Sequence, residues 1–477
     1  MDILKKISKA LCLNDEAPEL KHPLKSEIFH DYYIRGIYKK TLYPEHAHDI
    51  GRAFGSYLYV KNLKKVCVGN DCRNSSDTLA SELIKGLTLS GMEVTELGVC
   101  HTPMMYYTVN KFNMDAGIMV TGSHDSRDYN GFKFMLGTEP FYGEDLQRLR
   151  QMTLKGSFVE TNGREIILND IFSKYVNDII EKFTFPDDMK IAWDIGNGST
   201  SNTIREIITR IPGRHHVLFE DMNGDFPNRA PDPTVPANIQ YIRKLIEYNE
   251  FDAGFAFDSD GDRLCVINSE GKMLYNDHIL EVFARDFLTK NPGAQVVSDV
   301  RSCSRLSQTI KQLGGAALIE PCGLMSIKAK MKSSNALLAG EVGGHFCFKD
   351  QWYGFEDGIF AALRCLEILG NNRDAFQDPP YEISTPEIQI PVPNYGRFEK
   401  LEVVKDTLSR KNIPFVDIDG VRVCSENGEW LLRASKKHEY LAIRALAYKT
   451  DALPLVIKEI VSYTKNVIED IKQILSE

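Results

Sequence analysis

The chain has 477 residues, of which 43% are hydrophobic and 26% charged, a composition typical of a globular protein with about three domains. Its net charge of −9 argues against a general nucleic-acid-binding surface. Ten cysteines without a Cys-x-x-Cys pair argue against a disulfide framework or structural zinc and predict a reducing, cytoplasmic location. No apolar run approaches the length of a membrane span.

Residues 1–30 are predicted to form an N-terminal extension. A short amphipathic helix is expected near its start, with an apolar face formed by Ile3, Leu4, Ile7 and Leu11. We expect this helix to dock on the rest of the chain, and a membrane-surface anchor is the alternative.

A strand–turn–helix–strand unit occurs three times along the chain. Its first strands are predicted at Lys65–Asn70, Lys190–Ile195 and Gln295–Val300. In each unit a later strand ends in a polar loop, and these loops are 121–125 (TGSHD), 258–263 (DSDGDR) and 340–345 (GEVGGH). A crossover through a helix implies parallel pairing, and ligands bind at the carboxyl ends of such strands. We therefore expect the three loops to converge on one cleft.

The fold class predicted from this pattern is α/β, with three similar domains that have mixed, largely parallel sheets. A smaller α+β domain follows, because the hydrophobic pattern changes from Thr385 onward. All four domains would surround a central cleft. Their predicted ranges are 31–165, 166–272, 273–380 and 381–477.

The first polar loop presents Ser123 between Gly122 and His124, directly after the apolar run Ala116–Val120. Lys133 follows ten residues later. A strand, a glycine and then a hydroxyl beside an imidazole is an arrangement that can present a nucleophile or a phosphate carrier. An ordinary turn residue is the alternative.

The second loop alternates Asp258, Asp260 and Asp262 after an apolar strand. Three carboxylates so close together repel unless a cation lies among them, and a small set of hard oxygen ligands suits Mg²⁺. A calcium EF-hand is excluded, because Gly261 is at the fourth position rather than the sixth. A solvated acidic turn is the alternative, but it leaves Arg263 unexplained.

The third loop combines a carboxylate and an imidazole, Glu341 and His345, on a glycine-rich backbone. A Glu can accept two vicinal hydroxyls of a sugar, although a turn cap is an equal alternative. Four donors after a C-terminal strand could bind a phosphate dianion, with an exposed basic turn as the alternative, and they are Arg433, Ser435, Lys436 and Lys437.

Four common motifs are absent from the sequence: the Gly-x-x-x-x-Gly-Lys-Ser/Thr phosphate loop, Gly-x-Gly-x-x-Gly, Gly-x-Ser-x-Gly and His-Glu-x-x-His. Their absence argues against an ATPase, a nicotinamide dehydrogenase, an elbow-type hydrolase and a zinc protease.

Taken in order, the loops resemble those of the α-D-phosphohexomutase superfamily, and most closely its phosphomannomutase/phosphoglucomutase branch. The resemblance runs from about Asp31 to the C-terminal helix. It also includes the segments 34–36 (IRG), 68–73 (VGNDCR), 226–233 (FPNRAPDP) and 352–358 (WYGFEDG).

The resemblance implies a phosphohexomutase that interconverts the 6-phosphate and 1-phosphate of mannose and/or glucose through a hexose 1,6-bisphosphate. Ser123 would be the phosphoserine. One Mg²⁺ per chain would be held by Ser123, Asp258, Asp260 and Asp262. The catalytic residues would be Ser123, His124, Lys133, Arg35, Arg263 and His345. Substrate would be bound by Arg263, Arg301, Glu341, Gly343 and His345, and the distal phosphate by Arg433, Ser435, Lys436 and Lys437.

Several positions depart from that branch: Asp125 replaces Asn, Arg301 replaces Lys, Leu324 replaces His, Gly343 replaces Ser, and 436–439 replaces a threonine-rich turn. The alternatives are a phosphoglucosamine mutase, a catalytically weakened sugar-phosphate-binding relative and an unrelated metal-binding scaffold. The expected partners are small hexose phosphates and no nucleic acid or membrane, with the chain a monomer or weak dimer.

Overall fold

The computed structural model describes residues 22–377, 383–393, 396–435, 439–449, 451–468 and 471–474. The helix expected within residues 1–21 and the predicted phosphate donors Lys436 and Lys437 lie outside this part of the chain. The chain divides into two compact units, one of residues 1–275 with 343–375 and the other of residues 276–342 with 376–477.

The first unit begins with a seven-stranded sheet. Its strands are β1 (Ile34–Ile37), β2 (Lys65–Asn70), β3 (Glu93–Val99), β4 (Ala116–Val120), β5 (Tyr129–Leu136), β6 (Glu139–Pro140) and β7 (Arg164–Glu165). They are ordered β1-β5-β4-β2-β3-β7, with β6 beside β5. The strands β4, β2, β3 and β7 pair in parallel, whereas β5 is antiparallel to both β1 and β4.

Four helices accompany this sheet: α1 (Pro44–Val60), α2 (Ser76–Leu89), α3 (Thr102–Lys111) and α4 (Glu144–Lys155). A 3₁₀ turn, Ser26–Ile28, precedes β1. Leu24, Ile28 and Phe29 are buried in the core of this sheet. The end of the extension predicted for residues 1–30 is therefore part of the domain core.

A second sheet of the first unit contains β8 (Lys190–Asp194), β9 (Arg214–Leu218), β10 (Ala253–Phe257) and β11 (Leu264–Asn268). The order is β11-β10-β8-β9, in which only β11 is antiparallel to its neighbour. Its helices are α5 (Ile171–Ile180), α6 (Ser201–Ile208) and α7 (Gln240–Asn249), with a 3₁₀ turn at Pro236–Ile239.

The second unit starts with three parallel strands in the order β13-β12-β14, which are β12 (Gln295–Asp299), β13 (Ala316–Glu320) and β14 (Leu338–Gly340). Their helices are α8 (Asn276–Lys290), α9 (Ser304–Gln312) and α10 (Leu324–Ser334). The chain then returns to the first unit with β15 (Phe346–Phe348) and α11 (Gly358–Asn371).

The C-terminal part of the second unit is an antiparallel sheet of β16 (Ile383–Ser384), β17 (Ile388–Pro391), β18 (Val421–Cys424), β19 (Gly428–Ala434) and β20 (Tyr440–Ala447). The order is β16-β20-β19-β18, with β17 also on β20. The helices are α12 (Gly396–Arg410), α13 (Leu453–Thr464) and α14 (Ile471–Ile474).

The predicted fold class is confirmed: three α/β regions are followed by an α+β region. The three repeat-initiating strands begin at the predicted residues Lys65, Lys190 and Gln295. The serine, aspartate and glutamate loops follow β4, β10 and β14, at the carboxyl ends of parallel strands. In the described residues, we find no helix whose length and hydrophobicity would allow it to span a bilayer.

Candidate active site

Ser123 lies in a buried loop just after β4. Its φ angle is +48°, and only 3% of the residue is exposed. A positive φ is uncommon for a residue other than glycine and must be held by its surroundings. Its main-chain N–H donates to the hydroxyl of Thr121 at 2.7 Å. Ser123 is therefore not a solvated turn residue.

The guanidinium of Arg73 holds the main chain of this loop. Its Nη2 donates to the carbonyl oxygens of Ser123 at 2.5 Å and Asp125 at 2.7 Å. Its Nη1 donates to those of Ser126 at 2.7 Å and Tyr129 at 3.0 Å. Because an arginine fork is planar and rigid, these bonds fix the path of the loop that carries Ser123.

The buried carboxylate of Asp71 orients Arg73, whose Nε donates to it at 3.1 Å. The same carboxylate accepts from the hydroxyl of Thr121 at 2.7 Å, the N–H of Gly122 at 3.1 Å and the hydroxyl of Ser76 at 2.5 Å. A Cβ at Gly122 would lie 2.3 Å from Cζ of Arg73, so only glycine fits there. With Asp71 included, all five guanidinium N–H groups have acceptors.

The predicted acidic triplet follows β10, and Asp258, Asp260 and Asp262 are buried. Ligand atoms of the three carboxylates lie within 4.8 Å of one another. Within the described part of the chain, Oδ1 of Asp260 is buried without a hydrogen-bond partner. Burial and the two neighbouring carboxylates raise the pKa of Asp258 well above its usual range. An oxygen-rich cluster of three buried carboxylates fits Mg²⁺.

Lys133 brings a positive charge to this cluster from β5, where it pairs with Met119 of β4. Its Nζ lies 2.7 Å from Oδ2 of Asp260 and 2.5 Å from Oδ2 of Asp262. It is also 3.5 Å from Oγ of Ser123. Burial alone would lower the pKa of Lys133, but the carboxylates outweigh it and raise that pKa, so the ammonium is charged.

Oγ of Ser123 has two further polar neighbours. Oδ2 of Asp258 lies at 3.3 Å and Nδ1 of His124 at 3.4 Å. Burial, followed by the positive charges of Arg263 and Arg35, lowers the pKa of His124 well below its usual range. The imidazole is therefore neutral at pH 7, and its Nδ1 can accept a hydrogen bond from the serine hydroxyl.

Two more predicted residues contact the acidic triplet. The main-chain N–H of Arg263 donates to Oδ1 of Asp258 at 3.1 Å, and its Nε lies 4.0 Å from Oδ2 of that residue. Nε2 of His345 lies 3.3 Å from Oδ1 of Asp262. These side chains place cationic or proton-carrying groups beside the carboxylates.

Arg35 joins the serine loop from β1. Its Nη1 donates to the carbonyl oxygen of Gly122 and lies 2.7 Å from Oδ2 of Asp125. Asp125, which stands where the related branch has Asn, therefore forms an ion pair with Arg35, one of the predicted catalytic residues.

The second unit brings together two other predicted residues, Arg301 and Glu341, with Nη2 and Oε2 3.6 Å apart. Arg301 also donates to Asp299, through its main-chain N–H to Oδ1 and its Nε to Oδ2, both at 2.9 Å. Arg73 makes the same two contacts with Asp71, at 3.0 and 3.1 Å. Both pairs lie at the carboxyl end of the first strand of a repeat.

The predicted phosphate donors in the second unit have partners there. Nη2 of Arg433 donates to Oδ2 of Asp419 at 3.0 Å. The carbonyl oxygen of Ser435 accepts from Nε of Arg397 at 2.7 Å.

The structure thus brings nine predicted residues into one connected set within the first unit: Arg35, Ser123, His124, Lys133, Asp258, Asp260, Asp262, Arg263 and His345. Gly343 also belongs to the first unit, whereas Arg301, Glu341, Arg433 and Ser435 belong to the second. Asp71 and Arg73 were not among the predicted site residues. The available signal was the Asp-x-Arg spacing shared by residues 71–73 and 299–301.

Three family models match the chain. They are "Phosphoglucomutase/phosphomannomutase, alpha/beta/alpha domain I" at residues 26–160, domain II at 173–271 and domain III at 275–380.

Similar proteins extend the match over most of the chain. A phosphomannomutase/phosphoglucomutase of Pseudomonas putida is 37% identical over 425 residues, which cover 88% of this chain and 92% of the relative. A phosphoglucomutase of Neisseria meningitidis serogroup A is 38% identical over 427 residues, covering 88% and 92%. A crystal structure of a phosphoglucomutase/phosphomannomutase family protein from Burkholderia thailandensis matches with a TM-score of 0.87 and 32% identity, covering 94% of this chain and 99% of that one. The chain therefore belongs to the phosphoglucomutase/phosphomannomutase family and is a phosphohexomutase, an isomerase that acts on hexose phosphates.

Proposed function

We propose that this enzyme moves a phosphoryl group between O6 and O1 of mannose or glucose phosphate through a phosphoserine at Ser123 and a hexose 1,6-bisphosphate. The observation that carries the proposal is the surroundings of Oγ of Ser123. A carboxylate, a neutral imidazole and an ammonium lie 3.3, 3.4 and 3.5 Å away. Such a hydroxyl can accept, hold and release a phosphoryl group.

A phosphoryl group on Ser123 would add about −1.5 to −2 charge next to buried carboxylates. Mg²⁺ held by Asp258, Asp260 and Asp262 would supply the positive charge that this arrangement requires. Lys133 already neutralises part of the cluster through its two ion pairs.

Transfer to the sugar forms a bond between a sugar oxygen and phosphorus while the bond from phosphorus to Oγ of Ser123 breaks. The charged ammonium of Lys133 lies 3.5 Å from Oγ, where it stabilises the leaving oxygen. The sugar hydroxyl loses its proton to a base, for which His345 is the candidate. In the return step Oγ attacks the other phosphate, the bond from that phosphorus to the sugar oxygen breaks, and this oxygen takes back the proton that His345 received. Nδ1 of His124, 3.4 Å from Oγ, is the candidate carrier of the serine proton.

The second unit would recognise the sugar phosphate. Glu341 would accept sugar hydroxyls, with Arg301 holding its carboxylate. Arg433 and Ser435 would bind the phosphate that is not being transferred, together with Lys436 and Lys437. We propose a cytoplasmic enzyme that works as a monomer or weak dimer.

One assay tests the activity and the mechanism together. The protein is incubated with Mg²⁺, a catalytic amount of hexose 1,6-bisphosphate, and mannose, glucose or glucosamine 1-phosphate in turn, while the 6-phosphate product is followed. Intact-protein mass spectrometry reports phosphate on Ser123. If only glucosamine 1-phosphate gave product, the substrate would be glucosamine phosphate and not mannose or glucose phosphate. Full turnover by Ser123→Ala would overturn the phosphoserine mechanism, and a lack of product from all three sugars would overturn the activity.

A further inference from the structure

The ion pair between Arg35 and Asp125 ties the guanidinium to the serine loop. The side chain of Arg35 is 5% exposed and that of Asp125 is 35% exposed. The Nη1 that lies 2.7 Å from Asp125 also donates to the carbonyl oxygen of Gly122. On another side, Cζ of Arg35 lies 4.9 Å from the ring centroid of Tyr33. The guanidinium is thus fixed by one carboxylate, one carbonyl and one aromatic ring.

We propose that Asp125 is a positioning residue that acts through Arg35. It holds the guanidinium against the serine loop and offsets part of its charge, so that a phosphoryl group on Ser123 is released to the sugar rather than retained. This inference rests on the proposed phosphoserine function.

The physical reason is a competition between two anions for one buried cation. Arg35 holds the carbonyl oxygen of Gly122, the residue before Ser123, so a phosphoryl group on Ser123 would compete with the carboxylate of Asp125 for its guanidinium. A cation that binds the phosphoenzyme more strongly than the transition state raises the barrier to transfer. The carboxylate weakens that ground-state attraction without removing the donor groups of Arg35.

An asparagine at position 125 separates the negative charge of Asp125 from its role as a hydrogen-bond acceptor. The carboxamide oxygen of an Asp125→Asn variant can still accept from Nη1 of Arg35, but the negative charge is gone. Asp128→Asn is the matched control, because it removes the same charge from the same loop at a carboxylate that is 71% exposed and pairs with Arg127.

The test loads each protein with radiolabelled phosphate from hexose 1,6-bisphosphate. It measures the decay of the phosphoenzyme in the absence of sugar, together with kcat and KM for the 1-phosphate. In Asp125→Asn we expect the phosphoenzyme to last roughly three- to tenfold longer and kcat to fall by a similar factor, with KM nearly unchanged. Asp128→Asn should match the wild type in all three quantities.

A second background tests whether the effect passes through Arg35. In an Arg35→Gln protein, adding Asp125→Asn should leave the phosphoenzyme lifetime unchanged. The inference is overturned if Asp125→Asn equals the wild type, if Asp128→Asn has the same effect, or if the effect persists in the Arg35→Gln protein. A wild-type protein that takes up no label overturns the proposed function itself, whereas a labelled wild type with an unaltered variant overturns only this inference.

Discussion

Nζ of Lys133 lies 2.7 Å from Oδ2 of Asp260, in a site where both side chains are nearly or fully buried. A Lys133→Met variant would leave the acidic triplet without this cation. Breaking a buried pair costs about 3–5 kcal/mol, so the metal-free protein should melt at a lower temperature. Added Mg²⁺ should restore more stability to the variant than to the wild type, because Lys133 no longer competes for the carboxylates.

Thermal unfolding with EDTA and with Mg²⁺ measures both effects on Lys133→Met, and mutase activity should fall about 10²- to 10⁴-fold. Lys155→Met, at an exposed position of α4, is the control. An equal Mg²⁺ response in variant and wild type would show that Lys133 and the cation do not share these carboxylates.

Arg73→Lys should disturb the serine loop, because an ammonium has three donors and cannot reproduce the planar fork. Buried carbonyls would lose their donors, at about 1 kcal/mol each. We expect a loss of about 2–4 kcal/mol in unfolding free energy and a roughly 100-fold slower phosphorylation of Ser123. Phosphate incorporation measured by mass spectrometry, with the exposed Arg164→Lys as control, checks this. Unchanged incorporation would contradict the clamping role.

Asp419→Asn should weaken phosphate binding, because Asp419 orients Arg433 through a contact of 3.0 Å. If Arg433 binds the non-transferred phosphate, KM for the sugar phosphate should rise about three- to tenfold with little change in kcat. Asp417→Asn is the matched control, since that carboxylate is 57% exposed and pairs with Lys405. Steady-state kinetics separate the two parameters, and a fall in kcat alone would argue against the assignment.

The raised pKa of the buried Asp357 carboxyl group should make the stability of the protein depend on pH. Burial raises its pKa to about 6 from the ordinary 3.8, although it accepts from Tyr175 at 2.8 Å and the N–H of Phe360 at 3.0 Å. The folded state therefore holds a proton that the unfolded state releases between about pH 4 and pH 6. The stabilising contribution is complete below about pH 4 and is lost as the pH rises through 6.

Asp357→Asn removes this titration while keeping an oxygen acceptor for the α11 N-cap. As the pH rises from 4 to 7, the unfolding free energy of the variant minus that of the wild type should increase by up to about 3 kcal/mol. Denaturant unfolding at several pH values measures the difference, with Asp128→Asn as control. Stability profiles that run parallel for variant and wild type would refute the prediction.

Strands were predictable from the sequence where every side chain is buried, because such a strand is a continuous apolar run. Ala116–Val120 is a uniformly apolar run, and β4 has those bounds. The neighbouring strand β5, Tyr129–Leu136, was not predicted, because Asn130, Gly131 and Lys133 interrupt its apolar pattern. Asn130 donates to serine hydroxyls, a Cβ at Gly131 would meet a carbonyl at 1.9 Å, and Lys133 serves the acidic triplet. These three residues serve the active site or close packing, and they interrupt the apolar pattern by which β5 could have been recognised.

Helix α1, Pro44–Val60, was missed for a related reason. Gly51 and Gly55 resemble helix breakers in the sequence. In the fold they allow close approach to α2, since a Cβ at Gly51 would lie 2.3 Å from the carbonyl oxygen of Leu83. This requirement exists only once the two helices are packed together.

In the candidate site, Ser123 and Lys133 were recognisable because their chemistry belongs to the side-chain type. Arg73 was not, because its role depends on which main-chain carbonyls the loop turns toward it. The serines that follow Arg73 are of a type that favours helix N-caps. Ser75 is the N-cap of α2, but it makes no capping bond and instead accepts from Asn130.

The five-donor contact of Arg73 bears on the proposed cycle, in which Ser123 must meet first one phosphate and then the other of the same bisphosphate. The shape of the serine loop is set by a turn of the same domain and not by the sugar. A departing ligand therefore takes away none of the bonds that define the loop. In the proposed cycle, Ser123 would therefore keep its position between the two transfers, whichever phosphate of the bisphosphate faces it.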